Sequence, residues 1–153
     1  MKTISKDTPL SEITLRKYER PGSLEGRDLV RKLCLSVGIL QPGDSRDIIV
    51  DILDILIIES KKKNMLSSEE LEQKVIQSRK KHSLSTAGTA SSNIRRQLRR
   101  LRDIFLIEKI KNQYRITEFY TLKELFEEKI IKYHIASIQE RIYEYCARID
   151  ENK

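Results

Sequence analysis

The chain is poor in the residues that build redox, metal and disulfide chemistry: it has 2 cysteines and 2 histidines in 153 residues. Cys34 and Cys146 lie far apart and neither belongs to a CxxC pair, so no disulfide framework or zinc site is expected. Both thiols are read as buried and free. With only His82, in a polar loop, and His134, expected at a helix surface, there is no histidine cluster for a metal either. No apolar run approaches the roughly 20 residues that span a bilayer, so no membrane partner is expected. The opening "MKTISKDTPLSE" lacks the apolar centre of a signal peptide, and a cytoplasmic location is expected. Also missing are GxGxxG, a Walker motif, HExxH and a nucleophile elbow. The chain is therefore read as a binding protein without cofactors and not as an enzyme.

What is present is charge and helix-forming pattern. Charged residues make up 35% and apolar residues 39%, the balance of an ordered, soluble, helix-rich domain. The 30 basic residues outnumber the 23 acidic ones, for a net charge of +7. Between Gln73 and Arg102 stand Lys74, Arg79, Lys80, Lys81, Arg95, Arg96, Arg99, Arg100 and Arg102, with no acid. That segment carries +9, leaving −2 for the remainder. So local an excess points to a polyanionic partner.

Residues 1–22 read as irregular or extended. Ser23 is a candidate cap for a helix to about Val37, with Leu29, Val30, Leu33 and Val37 on one face. "GILQPGDS" is a turn. In "RDIIVDILDILIIESKKK" the isoleucines suggest a strand, but Asp47, Asp51 and Asp54 fall at i, i+4 and i+7. That spacing predicts a central helix with a narrow polar stripe. Ser67 with Glu70 three residues on is a capping box opening a helix to about Lys81. "HSLSTAGTASS" reads as a turn plus cap, with Thr86 or Thr89 as the capping residue. After the arginine run, Ile107–Ile110 and Tyr114–Thr117 form a short hairpin around Lys111-Asn112-Gln113. From Thr121, with Glu124 at the same capping spacing, a long helix is predicted to about Ile149.

The run "SSNIRRQLRRLRD" places five arginines in eight residues. On a wheel stepping about 100° per residue, Ile94, Leu98 and Leu101 share one narrow stripe. Ser92, Arg95, Arg96, Arg99 and Arg100 spread over the opposite side. A solvated helix normally mixes signs. Like charges repel, so an uncompensated arginine face implies a ligand that repays it.

The order helix, helix, basic helix, short hairpin resembles the winged helix-turn-helix domains of small transcription regulators of the MarR and ArsR kind. The likeness covers about residues 45–117 and rests on "LSSEELEQKVI", "SSNIRRQLRRLRDIFLIEK" and "IEKIKNQYRIT". Leu98, Leu101 and Leu106-Ile107 match the family pattern. Phe105 replaces its glycine, which implies a different helix exit and an extra aromatic in the core. The resemblance implies a mainly α fold with a small β-hairpin. It divides the chain into an N-terminal extension with one helix (1–43), a winged-helix domain (44–118) and a C-terminal helix (119–153). It implies that Ser91, Ser92, Asn93, Arg95, Arg96, Arg99 and Arg100 face the major groove of double-stranded DNA or its phosphates. Of these, Ser92, Asn93, Arg95 and Arg96 are the expected base readers, and Arg99 and Arg100 grip phosphate. Lys109, Lys111, Asn112, Gln113 and Arg115 would be the wing's contacts.

In the last helix Ile131, Ile135, Ile138, Ile142, Tyr145 and Ile149 recur at spacings of 4, 3, 4, 3 and 4, a heptad seam. It packs either on the N-terminal helix of the same chain or on its twin; the favoured expectation is a homodimer matching two-fold DNA sites. The rival function is a winged helix bound to RNA or to a protein in transcription or ribosome-associated machinery. There the basic segment "TLRKYERPG" would serve as an extra arm; it reads equally as a strand packed on the dimer.

Overall fold

In the computed structural model, which describes residues 7–152, the first six residues of the expected N-terminal extension and Lys153 lie outside the described part. The most apolar segment forms the centre, as its pattern predicts. Helix α2 (Ile48–Lys61) buries Ile48, Ile49, Val50, Ile52, Leu53, Ile55 and Leu56. It packs on α1 (Gly26–Ser36), α3 (Ser68–Lys81), α4 (Ser91–Asp103) and the sheet. The chain is mainly helical, with a small antiparallel sheet of β1 (Leu66–Ser67), β2 (Ile107–Ile110) and β3 (Gln113–Ile116), in the order β1-β3-β2.

The sequence foresaw a hairpin, and the sheet has one strand more. Leu66 pairs with Tyr114 and Ser67 with Gln113, so two residues just ahead of α3 extend the hairpin. Between β2 and β3 the turn is Lys111-Asn112 alone, with φ of 49° and 66°; Gln113 already belongs to β3. Two successive left-handed residues match the twist of a two-residue hairpin connection.

Capping residues set several boundaries. The Ser67 hydroxyl accepts from the Glu70 N–H at 3.1 Å while the Glu70 carboxylate accepts from the Ser67 N–H at 2.8 Å. Helix α3 therefore starts where the capping box puts it. The same reciprocal pair joins Thr121 and Glu124. Hydrogen bonds from the Thr121 N–H and hydroxyl hold the Glu124 carboxyl below the usual carboxylate range.

Helix α1 corrects the expectation. It begins after Glu25, which makes no side-chain cap, and not at Ser23. Its buried positions are Arg27, Cys34 and Leu35, with Val30 and Leu33 half-buried; Leu29 is 41% exposed. The segment read as a possible arm folds back on the end of this helix. Arg16 donates from its backbone to Ser36 O at 2.8 Å and from its guanidinium to Leu35 O at 2.9 Å and Leu40 O at 3.2 Å. Ile13 and Tyr18 pack against the core. Gly38, at φ +77°, lies so close to the Thr14 carbonyl that a side chain there would collide with it.

The C-terminal helix runs through α5 (Leu122–Leu125), a π-helical stretch (Phe126–Ile135) and α6 (Ala136–Glu151), with right-handed helical geometry at both junctions. The π-helical stretch explains why the heptad seam does not describe its inner half. Leu125 and Ile130, five residues apart, are both fully buried, as i→i+5 winding allows. Ile131, placed in the seam, is 37% exposed, whereas His134, expected at the surface, is buried with its Nδ1 lacking a partner among the described residues. Ile135 packs against the core and Ile138 is half-buried. Helix α6 has no buried residue, and Ile142, Tyr145 and Ile149 are all exposed. Packing of the seam on α1 of the same chain is thus not what the fold shows. Cys146, expected buried, is exposed on this helix; Cys34 is buried, and burial pushes its thiol up to about 12.

Among the described residues no helix is long and apolar enough to cross a membrane.

Candidate nucleic-acid interface

Helix α4 has the two-sided character that its sequence dictates. Ile94, Leu98 and Leu101 are fully buried against the core, each worth roughly 1.5–3 kcal/mol of transfer free energy. Repulsion between neighbouring arginines costs only about 0.2–0.5 kcal/mol per pair, so the apolar stripe wins and holds the helix in place. Arg95, Arg96, Arg99, Arg100 and Arg102 are all exposed. Among the described residues none of the five forms an ion pair with an acid.

The five are not equivalent. Arg96 donates to Asn93 Oδ1 at 2.9 Å; Arg100 donates to Gln97 Oε1 at 2.8 Å and to the Ile39 carbonyl at 2.5 Å. These two, four residues apart, share one flank, and Arg100 reaches the turn after α1. Arg95, Arg99 and Arg102, at spacings of 4 and 3, form a second row with no hydrogen bond to other described side chains. Arg102 belongs to the charge run but not to the expected contacts; its place one turn beyond Arg99 and two beyond Arg95 is the signal that includes it.

Asn93 differs from its expected role as a free base reader. It is half-buried, and its amide is engaged on both sides: Nδ2 donates to Gly88 O at 2.7 Å, and Oδ1 accepts from Arg96 and, at 3.1 Å, from Gln97. It fastens the preceding loop to the helix. Neither Thr86 nor Thr89 caps α4; Thr89 Oγ1 donates to Thr86 O at 2.7 Å, and the capping position is Ala90, which offers no side-chain acceptor. Ser91 and Ser92 stand exposed on the first turn.

Helix α4 ends in a Schellman motif. The Leu106 N–H reaches Leu101 O at 3.2 Å and the Phe105 N–H reaches Arg102 O at 2.9 Å, with Phe105 at φ 64°. The exit is therefore the one glycine would make, not a different one, at the cost of a non-glycine residue in left-handed geometry. Phe105 does not enter the core: it is 37% exposed and meets Tyr133 edge-on, with ring centres 5.4 Å apart.

In the hairpin, Lys109, Lys111, Asn112 and Gln113 are exposed, and the Lys109 ammonium lies 5.7 Å from the centre of the Tyr114 ring. Arg115 is not a free cation. Its Nε bonds Glu108 Oε2 at 2.7 Å and its guanidinium covers the Phe119 ring. Glu108 also accepts from the Glu118 N–H at 2.9 Å, so Arg115 secures the base of the hairpin.

Arg79 overturns part of the charge count. It is 2% exposed, and its Nη1 meets Asp47 Oδ1 at 3.0 Å and Asp51 Oδ2 at 2.6 Å. Arg27, from α1, forks onto Asp51 at 2.9 and 3.1 Å and reaches Asp47 at 3.0 Å; Arg31 adds a contact to Asp47 at 3.2 Å. Asp47 and Asp51 of the polar stripe thus anchor an internal ion-pair network joining α1, α2 and α3, and Asp54 is in none of its ion pairs. Burial opposes the charges of Asp47, yet hydrogen bonds and charge from Arg79 and Arg27 outweigh it and hold the carboxyl below its ordinary value. The reverse holds at Asp54, where burial and then the Asp51 charge raise the carboxyl. Lys74 faces Glu59 at 3.8 Å. His82 is exposed at the end of α3, its Nδ1 2.9 Å from Ser78 O.

No protein-family model matches this chain, and neither a curated protein nor a solved structure matches it.

Proposed function

We propose that this protein is a winged helix-turn-helix module that binds double-stranded DNA and acts as a cytoplasmic transcription regulator, not as an enzyme. The observation that carries the reading is the exposed arginine side of α4, whose single acid, Asp103, is the last residue of the helix and pairs with none of the five arginines, opposite a fully buried apolar stripe. The element order α2-β1-α3-α4-β2-β3 and the sheet order β1-β3-β2 support it. So do the exposed Lys111 and Asn112 at the tip of the hairpin next in the chain. Arg95 and Arg99 are the base-edge candidates, since guanidinium pairs bidentately with guanine O6 and N7. Ser91, Ser92, Arg96, Arg100 and Arg102 supply phosphate contacts. Lys109, Lys111, Asn112 and Gln113 lie along the backbone or minor groove.

Binding of labelled duplex DNA and of a matched RNA hairpin, each followed across salt concentrations, tests the reading. With about 6 phosphate contacts, duplex affinity is expected to fall on the order of a thousandfold between 50 and 200 mM salt. Preference for RNA, or no duplex binding at low salt, would overturn it.

The module is proposed to work as a homodimer through α6, where Ile138, Ile142, Tyr145 and Ile149 form one stripe and three of the four are exposed. Ile142→Asp is expected to convert a dimer to a monomer in sedimentation equilibrium. The side chain is 53% exposed, so the fold should persist unchanged by circular dichroism. A wild-type protein that sediments as a monomer would refute the dimer.

A further inference from the structure

The start of α4 is poorly fixed by its own sequence, because Ala90 has no side chain with which to accept from the first-turn N–H groups. Something else holds the loop that delivers this helix. Arg79 does more than neutralise Asp47 and Asp51: its Nε donates to the Ser85 carbonyl, in the loop between α3 and α4. Around that bond the loop is tied at short intervals. The Leu84 N–H reaches Arg79 O at 2.7 Å, the Ala87 N–H reaches Ser85 Oγ at 3.1 Å, and Asn93 Nδ2 reaches Gly88 O at 2.7 Å. Gly88, at φ +87°, lies against Asn93 and Ile48. A path of hydrogen bonds, joined by the backbone step from Ala87 to Gly88, thus runs from the buried carboxylates of α2 through Arg79 and the loop to Asn93. From there it passes to Arg96 on the arginine side of α4.

We infer that Arg79 is a positioning residue for the nucleic-acid interface, replacing the missing helix cap by fastening the loop before α4 to the core. The inference rests on the reading of α4 as the helix that contacts DNA. A guanidinium suits the task because its fork of N–H donors serves two carboxylates and a carbonyl at once in one plane. An ammonium at the same place still supplies the charge but not the fork.

Arg79→Lys is therefore the diagnostic variant. It is expected to keep the circular-dichroism spectrum, to speed amide exchange at Ala87 and in the first turn of α4 at least about tenfold, and to weaken duplex binding about tenfold. The slope of affinity against salt should not change, since no phosphate contact is lost. Should the buried lysine prevent folding, Asn93→Ala breaks the path at its other end without exposing a charge. It carries the same expectation for loop exchange in the free protein, a quantity that loss of a direct DNA contact would not alter. Wild-type exchange rates in the folded variant overturn the positioning role, whatever the affinity. Absence of duplex binding by the wild-type protein, with exchange accelerated as expected, overturns instead the reading on which the inference rests.

Discussion

Asp51→Ala is expected to destabilise the protein by about 3–5 kcal/mol, because it leaves Arg27 and Arg79 buried and short of their shared counter-charge. Asp51 is completely buried and binds both guanidinium groups, Arg79 at 2.6 Å and Arg27 at 2.9 Å. Domains of this size are stable by only about 5–15 kcal/mol, so the variant should populate unfolded chain at modest temperature. Urea denaturation followed by circular dichroism measures the loss. A loss under about 1 kcal/mol would mean that water reaches the network and screens it. An isosteric replacement separates the two parts of the cost. Asp51→Asn keeps the shape and some hydrogen bonding but removes the charge, and should fall between the wild type and alanine.

Replacing Arg95 and Arg99 together by alanine should weaken duplex binding by at least about a hundredfold while leaving the melting temperature unchanged or slightly higher. The two side chains are exposed and bond no other described residue, so their removal breaks no packing and relieves like-charge repulsion. Because the two read base edges, the preference for a cognate over a scrambled duplex should shrink, while the slope of log affinity against log salt changes little. Arg115→Ala makes the contrasting control. Its Nε is held 2.7 Å from Glu108 Oε2, so the change should loosen the hairpin and weaken cognate and scrambled duplexes alike, by a smaller factor. Equal losses from both variants would contradict the division between free and tied arginines.

How much of this was legible depends on how local each cause is. The helix from Ser68 to Lys81 was readable because its start is written in four adjacent residues, Ser67 to Glu70. Helix α4 was readable because one turn carries both the apolar stripe and the arginines. By contrast, the network of Arg27, Asp47, Asp51 and Arg79 joins residues up to 52 positions apart. Linear charge counting therefore took Arg79 for a surface cation. The Asp47–Asp51 stripe signalled helix correctly, but a polar stripe on an apolar helix faces either water or buried counter-ions, and periodicity does not distinguish them. Strand β1 has two residues, too few for any alternation to register. Phe105 misled because the glycine preference at a helix end is a cost of order 1 kcal/mol and not a prohibition. The burial of His134 follows from π-helical winding, which a fixed step of about 100° per residue does not describe.

That widened stretch between Phe126 and Ile135 separates two obligations of a single rod. The inner end must keep Leu125 and Ile130 in the common interior, while the outer end aims Ile142, Tyr145 and Ile149 away from it. Loss of one residue between them would swing the outer face about a quarter turn or more around the axis without disturbing the capped beginning. Sequence length in this stretch, more than the identity of its side chains, therefore dictates the azimuth at which any companion molecule would approach.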